Sequence, residues 1–141
     1  MIIVSACLMG INCKYNGNNN FNKEIEKYLE DKQFILVCPE QLGGLSTPRN
    51  PSEITHNKKA KRVTSNLGKD VTDNFIKGAN EVLKIAQIYN CREAILKEGS
   101  PSCGSNYVYD GSFTGKKVSG IGVTTQVLRD NRVKVISENE I

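Results

Sequence analysis

Three short runs, IIVSA at 2–6, FILVC at 34–38 and EAILK at 93–97, are apolar at nearly every central position, and each breaks off into Gly-, Pro- or Ser-bearing sequence. Alternation would mark a strand with one wet face, whereas continuous apolar runs of this length mark strands covered on both faces, as in parallel sheets. A fourth run, VKVIS at 133–137, has the same character. Between them lie segments with helical spacing. FNKEIEKYLED (21–31) sets Phe21, Ile25, Tyr28 and Leu29 on one face, with Asn20 or Asn22 as cap. VTDNFIKGANEVLKIAQIY (71–89) does the same with Phe75, Ile76, Ala79, Val82, Leu83 and Ala86, with Thr72 or Asp70 near its start. GVTTQVLRDN predicts a third helix that begins near Gly120 to Gly122. The alternation predicts an α/β fold, a mostly parallel open sheet with helices on both faces, in a Rossmann-like or flavodoxin-like three-layer arrangement. Residues 39–69 hold Pro39, Pro48 and Pro51 with little periodicity and read as a structured loop, ending in a small hairpin that turns at Asn66 to Gly68.

A chain of 141 residues with 38% hydrophobic content suits a single domain spanning 1–141. No window approaches the roughly 18 apolar residues of a membrane span, and MIIVSACLMG lacks the basic start of a secretion signal, so a cytoplasmic protein without a membrane partner is expected. The net charge of +4 concentrates in Lys58, Lys59, Lys61 and Arg62. That run suits a solvated loop, or attraction for an anionic substrate or RNA. The 6% aromatic content weakens the case for a base-stacking surface.

Five cysteines, at 7, 13, 38, 91 and 103, are an odd number without any C-x-x-C pair, which argues against a disulfide framework, a zinc ribbon and a thioredoxin motif. Topology sorts them. Cys7 follows the first strand, Cys38 closes the second, and Cys103 lies in the loop after the third, so all three belong to the carboxyl edge of the sheet, where open α/β sheets bind ligands. Cys91 precedes the third strand and belongs to the opposite edge, about 17 Å away along a five-residue strand, as a packing residue. Cys13, six residues past Cys7, could reach the site or not. Three thiolates at one edge suit a catalytic zinc or an iron–sulfur cluster with one iron lacking a protein ligand.

The motifs SACLMGINCKYNG (5–17), CPEQLGGLSTPRNPSE (38–53), GKDVTDNFIKGA (68–79), AILKEGSPSCGSNYVYDGSFTG (94–115) and GIGVTTQVLR (120–129) together resemble the TudS-like thiouracil desulfidase family over nearly the whole chain. The resemblance implies a [4Fe-4S] cluster held by Cys7, Cys38 and Cys103, and non-redox removal of sulfur from thiouracil or a related thiolated nucleobase, giving uracil and hydrosulfide. It also marks a departure: Asn16 stands where an aspartate is common, and Cys13 where cysteine is often absent.

On that footing Glu40, two residues from Cys38, is the first candidate for general acid–base work, with Ser102 as its catalytic companion. Ser100, Lys97 and Arg49 are candidates for substrate binding, and Gly43 and Gly44 for close backbone approach. Gly104 and Gly111 are given the same reading. Glu53 is expected to pair with Arg49 and fix the loop. GIG at 120–122 lacks a third glycine and reads as a helix start near the site, not as a nucleotide loop. A phosphatase would need an arginine six positions after its nucleophile, where this chain has Cys13. The alternative reading is a non-catalytic metal-binding or sulfur-carrier module, with structural Fe–S or with zinc on Cys7, Cys13, Cys38 and Cys103.

Overall fold

The computed structural model describes residues 1–56 and 60–141, so Lys58 and Lys59 of the basic run lie outside the described residues. Its frame is a four-stranded parallel sheet in the order β2-β1-β5-β8, built from β1 (Ile2–Ser5), β2 (Phe34–Val37), β5 (Glu93–Leu96) and β8 (Lys134–Ser137). The alternate residues of β1 explain the layering. Ile2 and Val4 face Ile25 and Leu29 of α1 (Lys23–Leu29), while Ile3 faces Val82 and Ala86 of α3 (Thr72–Ile88) and Leu128 of α4 (Val123–Asp130). Both faces are covered, as uninterrupted apolar strands require.

The helices follow local rules. Asn22 caps α1, its side chain accepting from the backbone N–H groups of Glu24 and Ile25. That cap starts the helix later than the spacing suggested, so Phe21 precedes it and is exposed, and Tyr28 is also on the wet side. On α3, Phe75, Ala79, Val82 and Ala86 are buried, Leu83 is partly so and Ile76 is exposed, a narrower stripe than expected.

The stretch 39–69 contains more than a loop. α2 (Pro39–Leu42) is a single turn, and β3 (Ser52–His56) pairs antiparallel with β4 (Lys61–Ser65). The expected turn at 66–68 is present as well: Ser65 N donates to Lys69 O at 2.8 Å, and Thr64 bridges Asp70. A second small hairpin, β6 (Tyr107–Tyr109) with β7 (Lys117–Ser119), occupies part of the glycine-rich segment. Ile54, Val63, Val71, Phe75 and Val108 form a separate apolar cluster that joins the hairpins to α3. Among the described residues no helix is long and apolar enough to cross a membrane.

Candidate functional site

The chain leaves β1 toward β2 on one side and returns to β5 on the other, so the loops after these strands diverge at the carboxyl edge of the sheet. A cavity of about 690 Å³ opens there. Its sheet side carries Ser5, Cys7, Cys38 and Lys97; its hairpin side carries Glu53, Tyr109 and Phe113.

Each of the three expected cysteines arrives from a different element. Cys7 sits in the 3₁₀ turn Ala6–Met9, Cys38 is the residue before α2, and Cys103 is in the loop between β5 and β6. All three line the cavity, and Cys13 lines it with them. Cys91 is buried among Val82, Ala86 and Ala94 in the sheet core, as its position before β5 implied. Cys7 is held near 7 and Cys38 near 6, below the usual thiol range; in each case a hydrogen bond from Cys13 outweighs burial. Cys103 is pushed up to about 12 by burial, against the hydroxyls of Ser5 and Ser102 that face its sulfur.

A polar chain runs beside the sulfurs. Arg49 Nε donates to Glu40 Oε1 at 3.0 Å, Ser102 Oγ donates to Glu40 Oε2 at 2.9 Å, and Ser100 Oγ shares a 2.8 Å hydrogen bond with Ser102 Oγ. The Arg49 side chain is only 8% exposed, and its remaining donors are used on Cys13 O, Ser46 O and Thr47 Oγ1. A guanidinium so committed orients the carboxylate instead of offering its fork to a ligand. Arg49 therefore pairs with Glu40 and not with Glu53, whose Oε1 accepts from the N–H groups of Gly111 and Phe113 and ties one hairpin to the other. Lys97 Nζ reaches the cavity wall but is bound to Glu138 and to Glu98 O; burial opposes its charge, and the ion pair with Glu138 holds its protonation range above the ordinary one.

Gly43 and Gly44 do not line the cavity. A Cβ on Gly43 would meet Asn74 O at 2.0 Å, so this glycine lets α2 lie against α3; Gly44 takes a left-handed φ of 91° beside Asn74. Gly104 and Gly111 serve packing of backbone against backbone, with Tyr107 O and Ile54 O within 3 Å of an added Cβ. Gly122, the residue before α4, packs directly on the backbone of Ser102, which lines the cavity: an added Cβ would strike Ser102 at 2.4 Å. Asn16 is exposed and accepts from Asn18 N in a turn, a role an aspartate could also fill.

Sequence reasoning missed Glu98. Only 4% exposed, it accepts from the N–H groups of Gly99, Ser105, Asn106 and Tyr107 and from the side chains of Ser105 and Asn106, winding the Cys103 loop around one carboxylate. Burial works against its charge, but these donors prevail and hold it near 2. The signal was an acidic residue directly before GSPSCG, in sequence otherwise devoid of charge until Asp110. The aromatic lining was missed too: Tyr15, Tyr109 and Phe113 all border the cavity despite the chain's low aromatic content. Of the basic run, Arg62 pairs with Asp70 at 2.8 Å and Lys61 donates to Ile121 O at 3.2 Å.

Among the described residues, no three Cys, His, Asp or Glu side chains converge as ligands of one ion. Thiols distributed around a cavity instead suit a group that takes each sulfur on a separate metal atom, and the all-sulfur donor set is the one iron–sulfur clusters use.

Three comparisons bear on this geometry. The model of a family described as 2-thiouracil desulfurase matches residues 2–140. YbbK of Bacillus subtilis strain 168 is 47% identical over 148 positions, covering 100% of this chain and 97% of that protein. A solved structure described as a [4Fe-4S]-dependent thiouracil desulfidase, TudS, superposes with a TM-score of 0.89 at 39% identity, over 99% of this chain and 91% of that one.

Proposed function

The chain belongs to the 2-thiouracil desulfurase family, and from that premise we propose that it removes sulfur from a thiolated pyrimidine base at a [4Fe-4S] cluster held by Cys7, Cys38 and Cys103. The observation that carries the reading is the meeting of these three thiols, from three different loops, with the Glu40–Ser102 pair in one cavity. When bound, a cluster with one iron free of protein ligands supplies a soft Lewis acid for a thiocarbonyl sulfur.

The chain's own residues supply the rest. Tyr15, Tyr109 and Phe113 offer aromatic faces to a planar ring entering the cavity. Glu40 Oε2 is the basic atom that takes a proton from water attacking the ring carbon, with Arg49 on Oε1 fixing its direction. Ser102 Oγ, between Glu40 Oε2 and Ser100 Oγ, is placed to pass that proton toward the departing sulfur. Lys97, neutralised by Glu138, adds a donor at the wall near Cys7 without stranding a buried charge. No atom changes oxidation state: C=S and water give C=O and hydrosulfide.

Two measurements test this. Protein purified without oxygen is expected to contain about four irons and matching sulfide per chain. It is then expected to convert 2-thiouracil or 4-thiouracil to uracil with one sulfide per turnover. Iron and sulfide without uracil formation would favour the sulfur-carrier reading, and one tightly bound zinc would favour a structural site.

A further inference from the structure

Three non-glycine residues among the described residues have a left-handed backbone: Asn90 at φ 53°, Phe113 at φ 57° and Arg132 at φ 64°. Asn90 and Arg132 each come directly after the cap that ends a helix, α3 and α4, where a left-handed residue is the ordinary stop. Phe113 follows no helix. It lies in the loop between β6 and β7, and a bulky residue keeps such a backbone only where its surroundings impose it.

Those surroundings are Glu53 and the loop itself. Glu53 Oε1, on β3, accepts from Gly111 N at 2.9 Å and from Phe113 N at 3.2 Å. Asp110 Oδ1 accepts from Ser112 N at 2.9 Å and from Ser112 Oγ, which shares a 2.6 Å hydrogen bond with Thr114 Oγ1. Behind the loop, Gly111 lies so near Ile54 O that an added Cβ would meet it at 2.7 Å, which leaves no room to settle further onto β3. The imposed backbone wins no core packing in return. Phe113 is 37% exposed and joins none of the three apolar clusters among the described residues, yet it borders the cavity with Glu53, Tyr109 and Gly115. A costly conformation that sets an aromatic side chain on a cavity instead of in the core serves what enters that cavity.

Resting on the desulfuration reading above, we infer that Phe113 is the residue that stacks on the thiolated ring, and that Glu53 is a positioning residue acting through the Phe113 backbone. Stacking of a base on an aromatic side chain is worth about 5- to 150-fold in affinity. It depends on the π-face and not on the ring substituents, so 2-thiouracil, 4-thiouracil and the product uracil are held alike. The contribution therefore falls on binding more than on the chemical step.

The test uses iron-loaded protein purified without oxygen and measures KM and kcat for 2-thiouracil and 4-thiouracil, with uracil binding by calorimetry. Phe113→Asn removes the ring but keeps a residue that accepts the left-handed backbone. It is expected to raise KM and weaken uracil binding about tenfold, with a smaller change in kcat and unchanged iron, and Phe113→Tyr to restore both. Should Phe113→Asn not fold, Phe113→Leu, apolar but without an aromatic face, gives the same reading. Glu53→Ala is expected to raise KM through the same side chain, so combining it with Phe113→Asn adds nothing further. Glu53→Gln, whose amide oxygen can accept from the same two N–H groups, is expected to recover most of the wild-type KM. Unchanged KM and uracil affinity in the folded, iron-loaded ring-removing variant would overturn the inference, and additive effects in the double variant would overturn the role of Glu53. An iron-loaded wild type that neither binds uracil nor forms it from thiouracil would overturn the proposed function and this inference together, whereas with an active wild type those variant results overturn the inference alone.

Discussion

Glu40 shows how one residue's role depends on neighbours far away in sequence. Its two oxygens are divided, one to Arg49 and one to Ser102, so the carboxylate is both aimed and coupled to a hydroxyl. Glu40→Gln keeps the shape and loses the base, and kcat is expected to fall by about 10²-fold or more, the usual worth of a positioned acid–base group, with iron content unchanged. Steady-state kinetics beside iron analysis checks both halves. The nearness of Glu40 to Cys38 was legible as two positions in CPE; its pairing with Arg49 was not, since Glu53 is four residues from Arg49 and nothing local shows that it is taken up by Gly111 and Phe113. Glu98 makes a pH prediction. Its folded pKa near 2 lies below the ordinary carboxylate value, so its contribution to stability is complete above about pH 5 and is lost as pH falls through 2, on the order of 3 kcal/mol in all. Denaturant midpoints measured from pH 6 to pH 2.5 are expected to fall steeply in wild type and less so in Glu98→Gln, which starts lower. Equal slopes would remove the carboxylate as the cause.

At the scale of elements, the parallel strands were readable because each is a continuous apolar run, and α3 because its stripe persists over four turns. The hairpin β3–β4 hides from such reading. SEITH and KRVTS bury only Ile54, Val63 and Ser65, and the strands gain their partners by pairing with each other, not by a hydrophobic pattern. α2 is too short to have a period, yet it sets Cys38 at its N-cap and Glu40 within its single turn. Two glycines hold these pieces at the site. Gly122→Ala drives a methyl into Ser102 at 2.4 Å from its carbonyl, and is expected to cost about 1–3 kcal/mol and to displace Cys103. Gly43→Ala does the same between α2 and α3 and is expected to displace Cys38 and Glu40. Lower melting temperature together with reduced iron per chain is the expected result for both; full iron loading in a folded Gly122→Ala would show that the loop has slack.

For the whole molecule, the sheet order β2-β1-β5-β8 turns separations of 31 and 65 residues between the cysteines into one cavity wall. The topology alone selected Cys7, Cys38 and Cys103 and set Cys91 apart, because strand direction decides which edge a loop occupies. The opposite wall was illegible, since Tyr109, Phe113 and Glu53 reach the cavity only when two small hairpins close over the sheet edge, a long-range event without a local signature. The central claim is that this edge holds a cluster on three cysteines. The most direct measurement is iron and acid-labile sulfide per chain in oxygen-free wild type and in Cys7→Ser, Cys38→Ser, Cys103→Ser and Cys91→Ser. About four irons are predicted for the wild type and for Cys91→Ser, with loss in each of the other three; retention of a full cluster by any of those three, or zinc in place of iron in the wild type, would contradict it.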